Sequence, residues 1–260
     1  LIINAKPTEA FTENEKYVLD QYTMNGGKSL WLLDMVAMEK DSLYNASGKN
    51  YAITRDLNLT DFFFTYGIRI NPVMVSTLYS APITLAMGEG SNSQFQPLRW
   101  PYSPLANSNS NHPIVNNLNL VKFDFANPID TLKNSIKKTI LLETAPLTKL
   151  EGAPREISLS IVTKEQEPAT FNKGNQNLAV LLEGEFESVY NNRIKPFKLK
   201  ADKVKSATTK MVVIADGDVI KNDVVKNVPQ ELGFDRWTGK RYGNKEFLLN
   251  TVNYLLDDNG

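Results

Sequence analysis

Residues Leu1 to Asp34 read LIINAKPTEAFTENEKYVLDQYTMNGGKSLWLLD, and the fold hangs on how this stretch is parsed. Leu1-Ile2-Ile3 is an apolar run that stops before Pro7, the pattern of a buried strand. Thr12 followed by Glu15 is a capping-box pair, in which each side chain bonds the backbone N–H of the other. The helix it starts carries Tyr17, Val18, Leu19 and Tyr22 and ends at Gly26-Gly27, where φ must turn positive. Ser29-Leu30-Trp31-Leu32-Leu33 is a second apolar strand, closed by Asp34. Strand, helix, glycine turn and strand form a βαβ unit, which implies parallel strands buried on both faces.

Beyond this unit the pattern continues in short elements. Asn58 to Tyr66 reads as a helix stopped by Gly67, and Val73-Met74-Val75 as a strand after the Asn71-Pro72 break. Pro82 to Met87 and Gln94 to Trp100 flank a Gly88-to-Asn92 turn and predict a projecting β-hairpin. Residues 103–119, rich in Asn, Ser and Pro, predict a long surface loop. Val121 to Phe125, Lys138 to Glu143, Ile157 to Val162, Leu178 to Leu182 and Met211 to Ala215 read as strands. Ala145 to Arg155 reads as a connector and the lysine-rich Lys195 to Lys205 as a solvated loop. Asn244 to Leu256 has Phe247, Leu248, Thr251, Val252 and Leu255 at helical spacing. Together these predict an α/β three-layer sandwich with a mainly parallel sheet. Residues 1–260 would form a single domain, with the inserted hairpin and loop near 80–113.

The bulk chemistry narrows function. There are 29 basic and 29 acidic side chains, so no basic surplus points to a phosphate backbone, and no nucleic acid is expected as partner. The chain has no Cys and one His, which removes thiolate nucleophiles, cysteine metal sites and paired catalytic histidines. No G-x-S-x-G elbow occurs. The single imidazole, His112, lies in an Asn-rich loop and reads as a residue that pins that loop. No enzyme chemistry and no cofactor is expected. No apolar run reaches the ~20 residues of a membrane span, so any anchor is expected outside these residues.

Two groups of residues are candidates for function. Asp216 and Asp218 flank Gly217 directly after the most apolar strand, and ligands of open α/β sheets gather at strand carboxyl ends. With Asp34, at the end of another predicted strand, they could hold a ligand or a divalent ion. The competing reading is a tight turn whose carboxylates bond nearby N–H groups. The second group is Phe95, Trp100 and Tyr102 on the predicted hairpin, aromatic residues suited to anchor a protein partner. Against this stands a role in covering the sheet edge. Glu183 with Arg193, the lysines from Lys195 to Lys205, and the lone Gly88-Glu89-Gly90 read as an ion pair, a solvated face and a turn.

Several separated segments carry a resemblance. The turn YTMNGG (Tyr22–Gly27) and strand KSLWLLD come first, then YGIRINPVMV (Tyr66–Val75) and NHPIV (Asn111–Val115). LAVLLEGEFESVYNNR (Leu178–Arg193), MVVIADGDVIKND (Met211–Asp223) and NKEFLLNTVNYLLDD follow in order. Together they resemble the auxiliary, GIFT-like domain of ABC transporters, in the family of gliding-motility-associated transporter proteins. The resemblance implies a fold similar to class I glutamine amidotransferases, flavodoxin-like, without their activity. It also implies a non-enzymatic accessory or scaffold domain at the periplasmic face of the inner membrane. Partnership with permease and ATPase subunits and anchoring by transmembrane segments elsewhere follow from the same likeness. A solute-binding module delivering a small molecule or glycan to the transporter is the alternative.

Overall fold

The computed structural model describes residues 1–88 and 90–257, so Glu89 of the predicted hairpin turn lies outside the described residues. The opening unit forms as its sequence demands. Strand β1 (Ile2–Ala5), helix α1 (Glu13–Met24) and strand β2 (Ser29–Leu32) follow one another, and the strands pair in parallel. The capping box is complete: Thr12 N–H donates to Glu15 Oε2 at 2.8 Å and Glu15 N–H to Thr12 Oγ1 at 3.3 Å. At the helix exit Gly26 has φ +86°, and a Cβ on Gly27 would lie 2.3 Å from the Tyr22 ring. Positive φ requires glycine at position 26, and the Tyr22 ring leaves no room for a side chain at position 27.

The remaining elements that matter for the site are helix α2 (Thr60–Thr65) and six more strands. These are β3 (Ser80–Met87), β4 (Gln94–Asn107), β5 (Val121–Lys122), β6 (Lys137–Thr144), β7 (Asn177–Glu187) and β8 (Lys205–Ile214). Helix α3 (Asn244–Leu256) closes the described chain. The eight strands make one sheet in the order β1-β2-β8-β7-β6-β4-β3, with β5 also paired to β4.

This sheet overturns the expected mainly parallel, flavodoxin-like three-layer sandwich. Only β1–β2 and β2–β8 are parallel; β8–β7, β7–β6, β6–β4 and β4–β3 are all antiparallel. The molecule is dominated by strands, with few helices. The physical reason lies between β7 and β8. Residues 188–204 hold no helix, and a parallel return needs a crossover of a dozen or more residues, normally helical, to cover the sheet. An apolar run such as Leu178–Leu182 is buried on both faces in either orientation, so its composition cannot report direction.

Three cores stabilise this arrangement. One face of β2, β7 and β8 offers Trp31, Val180, Leu182, Met211 and Val213 to Tyr17 and Met24 of α1 and to Phe62 and Phe63 of α2. The other face offers Leu30, Leu32, Leu181, Val212 and Ile214 to Phe247, Leu248 and Leu255 of α3. The third core lies under the β3–β4 hairpin and joins Trp100, Tyr102 and Phe125 to Val36, Ala52, Met74 and Ile157. Two further expectations change here. Strand β4 runs on to Asn107, into the segment read as loop. The segment read as a connector contains a strand, Thr148–Gly152, antiparallel to Val73–Thr77. Among the described residues no helix is long and apolar enough to cross a membrane.

Candidate functional site

The parallel register of β2 and β8 decides where the acids meet. Leu32 lies opposite Ile214, so Asp34 and Asp216 each stand two residues past the same level of the sheet. Both chains leave the sheet there, as strand carboxyl ends do at ligand sites. Asp34 accepts from the Gly217 N–H at 2.6 Å and is brought beside Asp218. Asp216 turns away and is fully buried. Its Oδ1 accepts from Asp218 N–H at 2.7 Å and its Oδ2 from Asp124 N–H at 2.5 Å. Asp216 therefore caps the short 3-10 turn Gly217–Ile220 and pins it to the chain after β5.

A residue that the sequence reading passed over fills the space among the remaining acids. Lys6, directly after β1, sends its ammonium to Asp218 at 2.6 Å, Glu39 at 2.6 Å and Asp34 at 3.5 Å. Ligand oxygens of these three acids lie within 4.8 Å of one another, a spacing that suits a divalent ion. The ammonium takes that place. Gly217 makes this possible: a Cβ there would lie 2.5 Å from Lys6 Cγ. Arg55 adds a cation 3.6 Å from Asp34.

Burial dominates the titration of these groups. It pushes the Asp34 and Asp218 carboxyls above the usual range, against the pull of the Gly217 N–H on Asp34 and of Lys6 on Asp218. Burial also raises Asp216 well above it, and the neighbouring charges of Asp218 and Asp34 raise it further. Asp124 goes the other way. Burial raises it too, but Lys122 and Lys40 with hydrogen bonds from Lys40 and Ser103 hold it at about 2. Lys40 reaches Asp124 at 2.8 Å and Lys122 reaches it at 3.7 Å. The whole arrangement is a set of matched charges between loops, able to lock the strand ends together.

The hairpin residues separate. Trp100 and Tyr102 are 0% and 2% exposed, inside the third core. Tyr102 stacks on Phe125 at 5.4 Å, and its hydroxyl donates to the buried Glu151 at 2.6 Å. Neither can anchor a partner on the surface, because the inward face of β4 packs on Val36, Ala52 and Met74. Phe95 is 63% exposed and lies against Trp237, 49% exposed, with ring centroids 4.8 Å apart. Arg236 covers the Trp237 ring at 4.5 Å. Between the hairpin and residues 221–237 runs a cleft of about 530 Å³, walled by Tyr44, Phe95, Asp223 and Trp237 among others. His112 accepts from Ile114 N–H at 3.3 Å and meets the Tyr254 ring edge-on at 4.6 Å, which fixes its loop.

The sequence reading missed Lys6, Glu39, Lys40, Asp124 and Trp237. A signal for Lys6 exists, since it follows β1 as Asp34 follows β2 and strands of a βαβ unit end on the same side. Nothing local marks Trp237, whose partner Phe95 is far away in sequence.

Fold and site together define a strand-rich mixed-sheet domain with internally matched strand-end charges and an exposed aromatic cleft. Residues 1–251 match the family described as "ABC-type uncharacterized transport system", and the chain belongs to that family. The family is an auxiliary one of ABC transport, consistent with an accessory role in association with transporter components. No curated protein matches the chain. A solved structure titled "mmIFT52 N-terminal domain" is similar at 15% identity with a TM-score of 0.47, covering 100% of this chain and 78% of that one.

Proposed function

We propose that the chain is a non-enzymatic, extracytoplasmic scaffold domain of an ABC transport complex associated with gliding motility. In this reading it works as one domain, held at the membrane by segments outside these residues, in a complex with permease and ATPase subunits. The observation that carries it is the division of labour between the two candidate groups. The acids of the strand ends bind the fold's own N–H groups and lysines, whereas the aromatic pair Phe95–Trp237 faces solvent. A solute-binding module would need open space beside Asp34 and Asp216, and the Lys6 ammonium stands there. Exposed aromatics flanked by an arginine are the residue types that dominate protein–protein binding energy.

The test uses the full-length protein in cells that carry the whole transporter. A photo-crosslinking amino acid in place of Phe95 is expected to give an adduct with the permease subunit. One in place of exposed Tyr51, which does not line the cleft, is not. Equal adducts from both positions, or none from Phe95 while the complex remains assembled, would overturn the proposal.

A further inference from the structure

Inside the aromatic cleft a narrower pocket of about 70 Å³ opens toward Asp124 and Tyr242. Its wall is unevenly charged: six carboxylates, among them Asp223 and Asp235, face three ammonium groups, Lys40, Lys122 and Lys221. Lys40 and Lys122 are committed to Asp124, and Lys221 lies between Glu39, Asp41 and Asp218 at 3.5 to 3.8 Å. Among the described residues Asp223 and Asp235 have no cation within salt-bridge distance. Asp235 Oδ1 accepts from Trp237 N–H at 3.0 Å and Thr238 N–H at 3.4 Å.

A second, independent observation points to an occupant. Tyr242 is 7% exposed and lines this pocket, and its buried hydroxyl has no hydrogen-bond partner among the described residues. A buried hydroxyl left unsatisfied loses the hydrogen bonds it made to water, so such groups are normally paired by protein, water or ligand. Asp235, Asp124 and Lys40 are the charges this hydroxyl feels, and all three line the same pocket. Burial and the two carboxylates push its titration up to about 12, so it stays a neutral hydroxyl able to accept from a cationic donor. The wider cleft outside exposes apolar side chains, Tyr44, Phe95, Val224 and Trp237, with Arg236 stacked on Trp237 and Lys221 beside them.

We infer that this cleft is a docking site for a protein segment carrying one lysine or arginine flanked by apolar residues. The cationic head enters the inner pocket, pairs with Asp223 and Asp235 and donates to the Tyr242 hydroxyl, and the flanking side chains lie on Phe95 and Trp237. An ammonium or guanidinium suits this pocket better than a bare metal ion. Among the described residues the group of acids that could close on one ion is Asp34, Glu39 and Asp218, already bridged by Lys6. The inference deepens the scaffold reading by stating what the partner must present, and it rests on that reading.

The probes are three capped tripeptides, Leu-Arg-Phe, Leu-Lys-Phe and Leu-Gln-Phe, titrated into the protein by NMR or calorimetry. The two cationic peptides are expected to bind and the glutamine peptide to bind at least about tenfold more weakly. The double change Asp223→Asn and Asp235→Asn keeps the acceptor for Trp237 and should weaken the arginine peptide about tenfold or more. Tyr242→Phe should weaken it severalfold while leaving the melting temperature equal or higher, because it removes an unpaired buried hydroxyl. That split is the signature of a binding group, since a structural hydroxyl would lower both. Equal binding of all three peptides, no binding of any, or displacement of the arginine peptide by calcium chloride at constant ionic strength overturns the inference. Crosslinking from Phe95 with no peptide preference would leave the scaffold intact and sink only this docking chemistry.

Discussion

Replacing Lys6 with methionine is expected to cost about 3 kcal/mol of stability at neutral pH, because one partner of a buried charge set is removed and the others stay. Lys6 is the shared cation of Asp34, Glu39 and Asp218, and its own affinity for a proton is raised by hydrogen bonds to Asp218 and Glu39 despite burial. Its folded pKa lies above its unfolded one, so its contribution is fully present below about pH 10.5 and fades as pH rises through the folded value. The carboxyls behave oppositely. Asp34 and Asp218 already hold protons more tightly in the folded state than in the unfolded one. Their raised values remove stability as pH climbs from the unfolded carboxyl range near 3.8 through the folded values. Without Lys6 they rise further. Urea denaturation across pH should therefore show a deficit that is largest at neutral pH and shrinks toward pH 4. Added calcium should restore part of it in the variant, because three carboxylates within 4.8 Å are then free to share one ion. A deficit independent of both pH and calcium would rule out the bridging role.

Trp100→Ala should be the more damaging of two aromatic changes on one hairpin, with a loss of about 3–5 kcal/mol, whereas Phe95→Ser should change stability by about 0.5 kcal/mol or less. The difference follows from burial alone. Trp100 is enclosed by Tyr102, Phe125 and the aliphatic residues of the third core. Phe95 is 63% exposed, and its ring lies against Trp237. A domain of this kind is stabilised by about 5–15 kcal/mol in total, so the Trp100 change takes a large part of it. The shift in urea midpoint at unchanged slope is the measurement. Equal effects of the two changes would mean that the hairpin base is not packed as described.

The same two residues show what can be read from sequence. The hairpin is legible because Gly88 and Gly90 interrupt two β-rich runs, but strand alternation does not say which face looks inward when both faces carry aromatics. Trp100 and Phe95 look equivalent until the third core places one inside. The opening βαβ unit is legible in full because its helix has a capping box and its exit a double glycine. The sheet beyond it is not, since Leu178–Leu182 and Met211–Ala215 are buried on both faces, and such runs look alike in parallel and antiparallel pairs. A clue is present all the same: a lysine-rich loop and no helix between them argue for antiparallel return. For the site, Asp34, Asp216 and Asp218 are visible as acids at strand ends. Their meeting depends on β2 and β8 being neighbours, and the cation that joins Asp34 to Asp218 directly follows β1.

If transporter association runs through the Phe95–Trp237 cleft while the strand-end acids hold the fold, losing both rings should uncouple binding from stability. Quantitative co-purification of the full-length Phe95→Ser/Trp237→Ser variant with the permease and ATPase subunits reads this out. The expected variant is as stable as the parent and loses most of its bound transporter. Undiminished recovery of the complex from an equally stable variant would show that the cleft is not the docking surface.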